Sequence, residues 1–272
     1  MRTVIVALSL LILIGGLALG QEDSVSFSGS IGARATLLPS FGIASSVQAS
    51  MTYAGFTLGS AADFDIYPSF GGSGSIWLEY AVGLLTTGLE SYLDLASLAL
   101  SSIDAYADLT LFDLTSDNGM MSLSGELDMM VNFYPSFSST LTGTVTGGFG
   151  PAEVKSTTII DLLPFGFSSQ DLSFTLTMFD TLLGEGGPRL AGKLGANFPV
   201  YPSFSGSAWV DMSATLDVVT FESKTTVSLI PFAFSSEYIK AEFDITPFSF
   251  YLATTLTTGS PQAELGASLS FP

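Results

Sequence analysis

Pairs of acidic side chains two residues apart occur in this sequence, and they are the residues best suited to acid–base catalysis or metal binding. Asp63 and Asp65 form one pair, and Glu126 and Asp128 form another. On an extended strand, residues two apart project from the same face, so a pair could supply two acid–base carboxylates or share a Ca²⁺ ion. No calcium-loop pattern surrounds either pair, and similar acids recur along the chain. We therefore expect a solvated polar face without catalytic, metal-binding or cofactor-binding residues, and Ca²⁺ stays an open alternative.

The composition excludes several functional classes. The chain has no His and no Cys, which rules out Ser-His-Asp catalysis, Cys-His catalysis and histidine-containing zinc sites. The formal net charge is −18, which makes nucleic acid a poor partner because phosphate binding needs a basic surface. We expect that the protein is not an enzyme and needs no cofactor.

The hydropathy indicates a surface that partly faces something other than water. Only 12% of the 272 residues are charged, whereas 47% are hydrophobic and the mean hydropathy is +0.51. So few charges would cover the surface of a water-soluble protein poorly. Beyond the N-terminus, however, no apolar run is long enough for a transmembrane helix.

The N-terminus has the features of a secretory signal peptide. Arg2 precedes an apolar run over residues 4–14, and Ala18 and Gly20 are small residues placed for cleavage before Gln21. An uncleaved anchor is the alternative. We predict a signal peptide at 1–20 and one domain at 21–272.

Several segments alternate between apolar and polar residues, which indicates β-strands. The segments 103–111, 123–133, 208–218 and 239–246 show this period of two, and no segment of the mature chain has a convincing helical period. The charged residues on the polar faces are the candidates for lining an interior: Asp104, Asp108, Glu126, Asp128, Asp211, Asp217, Lys240, Glu242 and Asp244.

An internal repeat of 67 residues organises the chain. The tetrapeptide Tyr-Pro-Ser-Phe begins at residues 67, 134 and 201, and a second aromatic-proline element begins at Pro164 and again at Pro231. We interpret these corners as an aromatic belt at a membrane–water interface, although simple turn chemistry would also explain them. The candidate belt residues are Tyr67, Phe70, Tyr134, Phe137, Phe165, Phe167, Tyr201, Phe204, Phe232 and Phe234.

Each interval between corners fits one hairpin, so a repeat holds four strands of about 10–13 residues, the length that crosses a membrane as a tilted strand. When a sheet of so many long strands closes into a barrel, its first and last strands pair and no edge strand with unpaired backbone groups is left. The sequence therefore predicts an all-β, antiparallel transmembrane β-barrel, with 14 strands as the first estimate and 16 as the second. The count is open because the ending 270–272 is similar to 197–199, just before a corner, which predicts a last strand that runs toward the corners, parallel to the first. Either residues 23–37 are not a barrel strand, or residues 246–251 hide an extra turn.

The C-terminal segment 264–272 alternates and carries the aromatic Phe271 beside the terminus. It resembles the closing strand of bacterial outer-membrane β-barrel proteins, whose terminal aromatic is an assembly signal, although Pro272 departs from that pattern. The resemblance implies location in the cell outer membrane, contact with outer-membrane lipid and recognition of Phe271 by the barrel-assembly machinery. A homo-oligomer is an open option.

Together these features favour a porin-like channel whose acidic lumen passes small hydrophilic solutes and prefers cations. A barrel plugged by its own side chains would instead have a mechanical or lipid-related role. The alternative from another class is a secreted or surface-layer structural protein, extracellular or on the cell surface, whose repeats stack without closing.

Overall fold

The computed structural model describes residues 25–184 and 186–271, and within them the chain forms sixteen β-strands. The predicted signal peptide lies outside the described residues. None of the described segments forms a helix long and apolar enough to cross a membrane. The strands are β1 (Val25–Leu38), β2 (Gly42–Tyr53), β3 (Phe56–Tyr67), β4 (Gly71–Val82), β5 (Leu85–Asp94), β6 (Ala99–Thr115), β7 (Met121–Tyr134), β8 (Ser138–Phe149), β9 (Ala152–Leu163), β10 (Phe165–Leu182), β11 (Arg189–Tyr201), β12 (Ser207–Leu216), β13 (Val219–Leu229), β14 (Phe232–Ile245), β15 (Phe248–Thr257) and β16 (Gln262–Phe271).

The strands form one closed antiparallel barrel in chain order. Each strand pairs with its sequence neighbour, and β1 pairs with β16 to close the ring, with Gly29 opposite Phe271 and Thr36 opposite Glu264. Closure satisfies the edge groups of the first and last strands. The prediction of an all-β barrel is confirmed; the first estimate of 14 strands is wrong, and the second, 16, is correct. The closed ring also contradicts the alternative of repeats that stack without closing.

A turn at Thr246–Pro247 accounts for the difference in strand count. It separates β14 from β15, so the chain reverses once more before β16. The last strand therefore runs away from the corners, and the expectation that it runs toward them is wrong. Because β1 runs toward the corners, the two closing strands become antiparallel, as an even-numbered barrel requires.

The 67-residue repeat corresponds to four strands, a quarter of the ring. Phe112 of β6 lies over its cross-strand partner Gly125 of β7, and 67 residues later Phe179 of β10 lies over Gly192 of β11. A Cβ atom at either glycine would overlap the ring. The repeat is thus preserved in cross-strand packing as well as in the corners.

The barrel has almost no apolar core among the described residues. The buried hydrophobic residues are Ala49, Ala62, Leu95 and Ala253, whereas many Phe, Leu, Met and Ile side chains are exposed. In a strand, alternate side chains project from opposite faces. The sequence places its large apolar residues on one of these faces, and the closed sheet makes that face the outer wall.

The corner aromatics form a rim at one end of the barrel. All ten predicted belt residues are exposed, and Phe165 and Phe232 reach 82% and 78%. Aromatic pairs join neighbouring corners: Phe41 lies 5.6 Å from Tyr67 and Phe167 lies 4.8 Å from Tyr201 between ring centroids. Their place at one end agrees with the prediction, whereas contact with a membrane interface stays a prediction.

Candidate functional site in the barrel lumen

The polar faces of the strands line the inside of the barrel. A cavity of about 770 Å³ is bordered by side chains from β1 to β4, β15 and β16, including Arg34, Ser46, Asp63, Asp65 and Tyr251. Six consecutive strands of the ring can border one cavity only from their concave side. The inner wall therefore carries the polar residues at alternate positions.

Most of the predicted lumenal residues lie on this inner wall. The cross-strand pairs Thr110–Glu126, Asp108–Asp128 and Lys193–Asp211 fix the inward face of β6, β7, β11 and β12. The predicted residues that face inward are Asp104, Asp108, Glu126, Asp128, Asp211, Lys240, Glu242 and Asp244, and a role in lining a pore stays a prediction.

Asp217 is the exception. The sequence continues the alternation of β12 through this residue, but the structure ends β12 at Leu216 and places Asp217 in the turn before β13, with φ of +53°. Asp is one of the residues that tolerates this left-handed conformation. Its side chain lies at the rim opposite the corners, so its assignment to a strand face is wrong.

One half of the inner wall is acidic and contains no basic residue. Between residues 35 and 154 the chain has no Lys or Arg and 12 Asp or Glu. Cross-strand pairing connects Glu90 to Asp104 and Asp108 to Asp128, with Glu126 two residues before Asp128 on the same strand. We call the lumenal face of β3 to β7 the acidic wall; its carboxylates are Asp63, Asp65, Glu79, Glu90, Asp94, Asp104, Asp108, Asp113, Glu126 and Asp128.

Neutral hydrogen-bond donors hold some of these carboxylates in place. Asn132 Nδ2 donates to Asp104 Oδ1 at 2.6 Å, and Ser102 Oγ donates to Asp104 Oδ2 at 3.1 Å. The Tyr106 hydroxyl donates to Glu79 Oε2 at 2.8 Å. These contacts orient the carboxylates without cancelling their charge.

In the opposite half of the ring, basic side chains lie among the acids, and some of them form ion pairs. Lys240 Nζ lies 2.6 Å from Glu242 Oε2, and Ser249 donates to the other oxygen of Glu242 at 2.9 Å. Arg34 Nε lies 4.0 Å from Glu264 Oε2. We call the lumenal face of β11 to β16 the paired wall. In the ring of sixteen strands, β13 of this wall is eight strands from β5, so the paired wall faces the acidic wall across the lumen.

Aromatic side chains also line the lumen, and four of them lie over a glycine of a neighbouring strand. Such pairs are Trp77 over Gly59, Tyr106 over Gly88, Trp209 over Gly195 and Tyr251 over Gly266. A Cβ at any of these glycines would overlap the ring. The glycines therefore let the rings lie flat on the inner wall, where a ring leaves more of the lumen open than an upright side chain.

The sequence reasoning missed Glu79, Glu90 and the lumenal aromatics. Glu79 and Trp77 do share a strand face by the same alternation that identified the other acids. The alternation in residues 73–79 was therefore sufficient to predict that Trp77 and Glu79 share a face with the other lumenal residues. The position of each ring over a glycine of a neighbouring strand could not be predicted without the cross-strand register.

Glu237 is the only charged side chain on the outer faces of the described strands. It accepts hydrogen bonds from Ser223, at 2.7 Å, and from Thr225, both of which also face outward on β13. These two hydroxyl donors satisfy a carboxylate that stands on an otherwise apolar wall. Because its charge faces outward, a substitution of Glu237 can serve as the control for substitutions of lumenal charges.

Within the described part of the chain, no cluster of three or more Asp or Glu residues has an arrangement that would hold a metal ion. The connections between described strands are also short, and the longest covers residues 183–188. None of these connections has the length to fold inward and fill the lumen.

Sequence comparison gives no relative: neither a protein-family model nor a curated protein matches the chain. Comparison with solved structures finds similar proteins. A variant of the porin from Rhodopseudomonas blastica is similar over 91% of this chain and 100% of its own, with a TM-score of 0.53 and 10% identity.

Two further structures have the same architecture. CdiB from Acinetobacter baumannii matches with a TM-score of 0.54 and 11% identity, over 92% of this chain and 60% of CdiB. OccK2 (OpdF) from Pseudomonas aeruginosa matches with a TM-score of 0.50 and 8% identity, over 91% of this chain and 98% of its own. The chain therefore has the closed β-barrel fold of bacterial outer-membrane porins.

Proposed function

We propose that the protein is an outer-membrane channel that lets small hydrophilic solutes diffuse through its lumen and prefers cations. Barrels of 16–18 strands leave an aqueous passage, whereas eight-stranded barrels are filled by their own side chains. The described connections are too short to plug the sixteen-stranded barrel. Its exposed apolar outer wall is the surface that a bilayer would cover.

The observation that carries the cation preference is the acidic wall. Ten carboxylates face the lumen from β3 to β7 without a basic residue between them, while Arg34 and Lys240, outside this wall, each lie beside an acid. Unpaired lumenal carboxylates raise the local concentration of cations and repel anions.

The likeness to porins supports this proposal. Identities near 10% extend no further than the fold, so the solute and the location are argued from the chain itself. The predicted signal peptide and the aromatic Phe271 at the end of β16 are consistent with export and assembly into the outer membrane.

Electrophysiology with the purified, folded barrel tests the proposal. In a planar bilayer we expect discrete conductance steps and, under a tenfold KCl gradient, a reversal potential of the sign given by K⁺ permeation. A reversal potential of the opposite sign would refute the acidic-lumen argument. Absence of any conductance, in a preparation whose gel mobility shifts on boiling as folded barrels do, would refute the channel.

A further inference from the structure

The two tryptophans of the chain occupy matching positions on facing walls of the barrel. On the paired wall, Trp209 lies over Gly195, and Asp211, two residues on, pairs across the strands with Lys224. Lys224 reaches back over the indole, with Nζ 4.8 Å from the ring centroid. One lysine thus joins the aromatic face and a carboxylate-bearing position.

The acidic wall repeats this arrangement without the lysine. Trp77 lies over Gly59, and Glu79, two residues on, pairs across the strands with Gly88. Gly88 therefore stands at the position that Lys224 holds on the other wall. The acidic wall thus has the carboxylate and the indole of the paired wall, but it has no lysine ammonium group beside them.

A second aromatic ring lies directly over this position. Tyr106 lies across Gly88, and its hydroxyl donates to Glu79 at 2.8 Å, which holds the ring flat beside the carboxylate. Glu90 is the direct cross-strand partner of Trp77 on β5. Two aromatic rings and two carboxylates therefore lie at neighbouring positions on the lumenal surface of β4 to β6.

The chain itself indicates what such a surface attracts. Lys240 lies 5.5 Å from the ring centroid of Tyr251, which lies over Gly266, so a second glycine-backed ring of the lumen also holds an ammonium group. In the described part of the chain, neither Trp77 nor Tyr106 has a lysine or arginine over its face. Residues 35–154 contain no basic side chain that could supply one.

We propose that Trp77 and Tyr106, with Glu79 and Glu90, bind organic cations of the alkylammonium class on the lumenal wall. Aromatic faces attract weakly hydrated cations such as quaternary ammonium groups, and adjacent carboxylates add charge attraction. This proposal rests on the proposed channel function, since it names the class of solute that the acidic wall selects. Small inorganic cations hold their hydration shells more strongly and gain less from the rings.

Fluorescence of the full-length folded barrel tests the site, because the chain has only the tryptophans Trp77 and Trp209. In Trp209→Phe, Trp77 is the single reporter, and titration with tetramethylammonium chloride should give a saturable change that NaCl at equal ionic strength does not give. Trp77→Phe is the matched control: its reporter, Trp209, already lies under Lys224, so no saturable change is expected.

Adding Glu79→Gln and Glu90→Gln to the Trp209→Phe variant should raise the half-saturating tetramethylammonium concentration about tenfold. No saturable change in Trp209→Phe, or equal responses in both single-tryptophan variants, would overturn the site. Saturation in a barrel that conducts no ions would refute the channel but keep the site. Conductance without saturation would refute the site alone.

Discussion

The Tyr106 hydroxyl donates a hydrogen bond to Glu79 Oε2 over 2.8 Å, although the two residues lie on β6 and β4 with β5 between them. The contact is made across Gly88, whose missing side chain leaves room for the tyrosine ring. One glycine thus allows a link over three strands, and the lumenal wall is flat where this link lies.

Replacing Gly88 by Ala should displace the Tyr106 ring into the lumen. The added Cβ overlaps the ring, and overpacking of this kind typically costs about 1–3 kcal/mol. We expect a lower free energy of unfolding in urea and a smaller single-channel conductance. Gly143→Ala is the control, because nothing lies within 4 Å of a Cβ at Gly143. Equal effects of the two substitutions would contradict the role given to Gly88.

Neutralising part of the acidic wall should reduce cation selectivity. In the triple variant Asp108→Asn, Glu126→Gln and Asp128→Asn, three neighbouring lumenal charges disappear while side-chain size is kept. We expect the reversal potential under a KCl gradient to move toward zero, by an amount that decreases at high salt because screening shortens the reach of each charge. Glu237→Gln, which removes an outward-facing charge, should leave the reversal potential unchanged. A shift of similar size in that control would argue against a lumenal origin of selectivity.

Breaking the ion pair on the paired wall should destabilise the barrel. The Lys240 and Glu242 side chains are only 20% and 22% exposed, so Lys240→Met would leave Glu242 largely desolvated and without its cation. Removing one partner of such a pair costs about 1–3 kcal/mol here, less than for a fully buried pair, since part of each group reaches water. Urea unfolding measures this cost. The double variant Lys240→Met, Glu242→Gln should recover much of the loss; if it is no more stable than the single variant, the pair is not the cause.

The corner aromatics should matter more in a bilayer than in detergent. Phe165 and Phe232 are the most exposed rings of the rim, and replacing each with Ser removes apolar area that an interface would cover. We expect each change to lower the free energy of unfolding from lipid vesicles by about 1–2 kcal/mol. Phe→Tyr at the same positions keeps the ring and should have little effect. Equal losses in detergent micelles and in vesicles would instead assign the rings to turn packing alone.

The sequence alone was enough to predict the faces of most strands. A strand places alternate side chains on opposite sides, so the acids at 104, 108, 126 and 128 share a face whatever their neighbours are. The same alternation failed at Asp217, where a tight turn ends the strand without changing the pattern. The 67-residue period likewise indicated units of two hairpins, because each corner returns at the same place in the unit.

Only the tertiary structure decided how the strands are joined and what they bring together. Closure between β1 and β16 depends on the extra turn at Thr246–Pro247, which no periodicity marks. Cross-strand register depends on bulges and turn lengths. The register alone places Trp77 over Gly59. It also makes Gly88 the cross-strand partner of Glu79, whereas the partner of Asp211 is Lys224. The sequence determined which side chains face inward, since that property is local. Which of them meet is a property of the closed ring, because it depends on residues far apart in the chain.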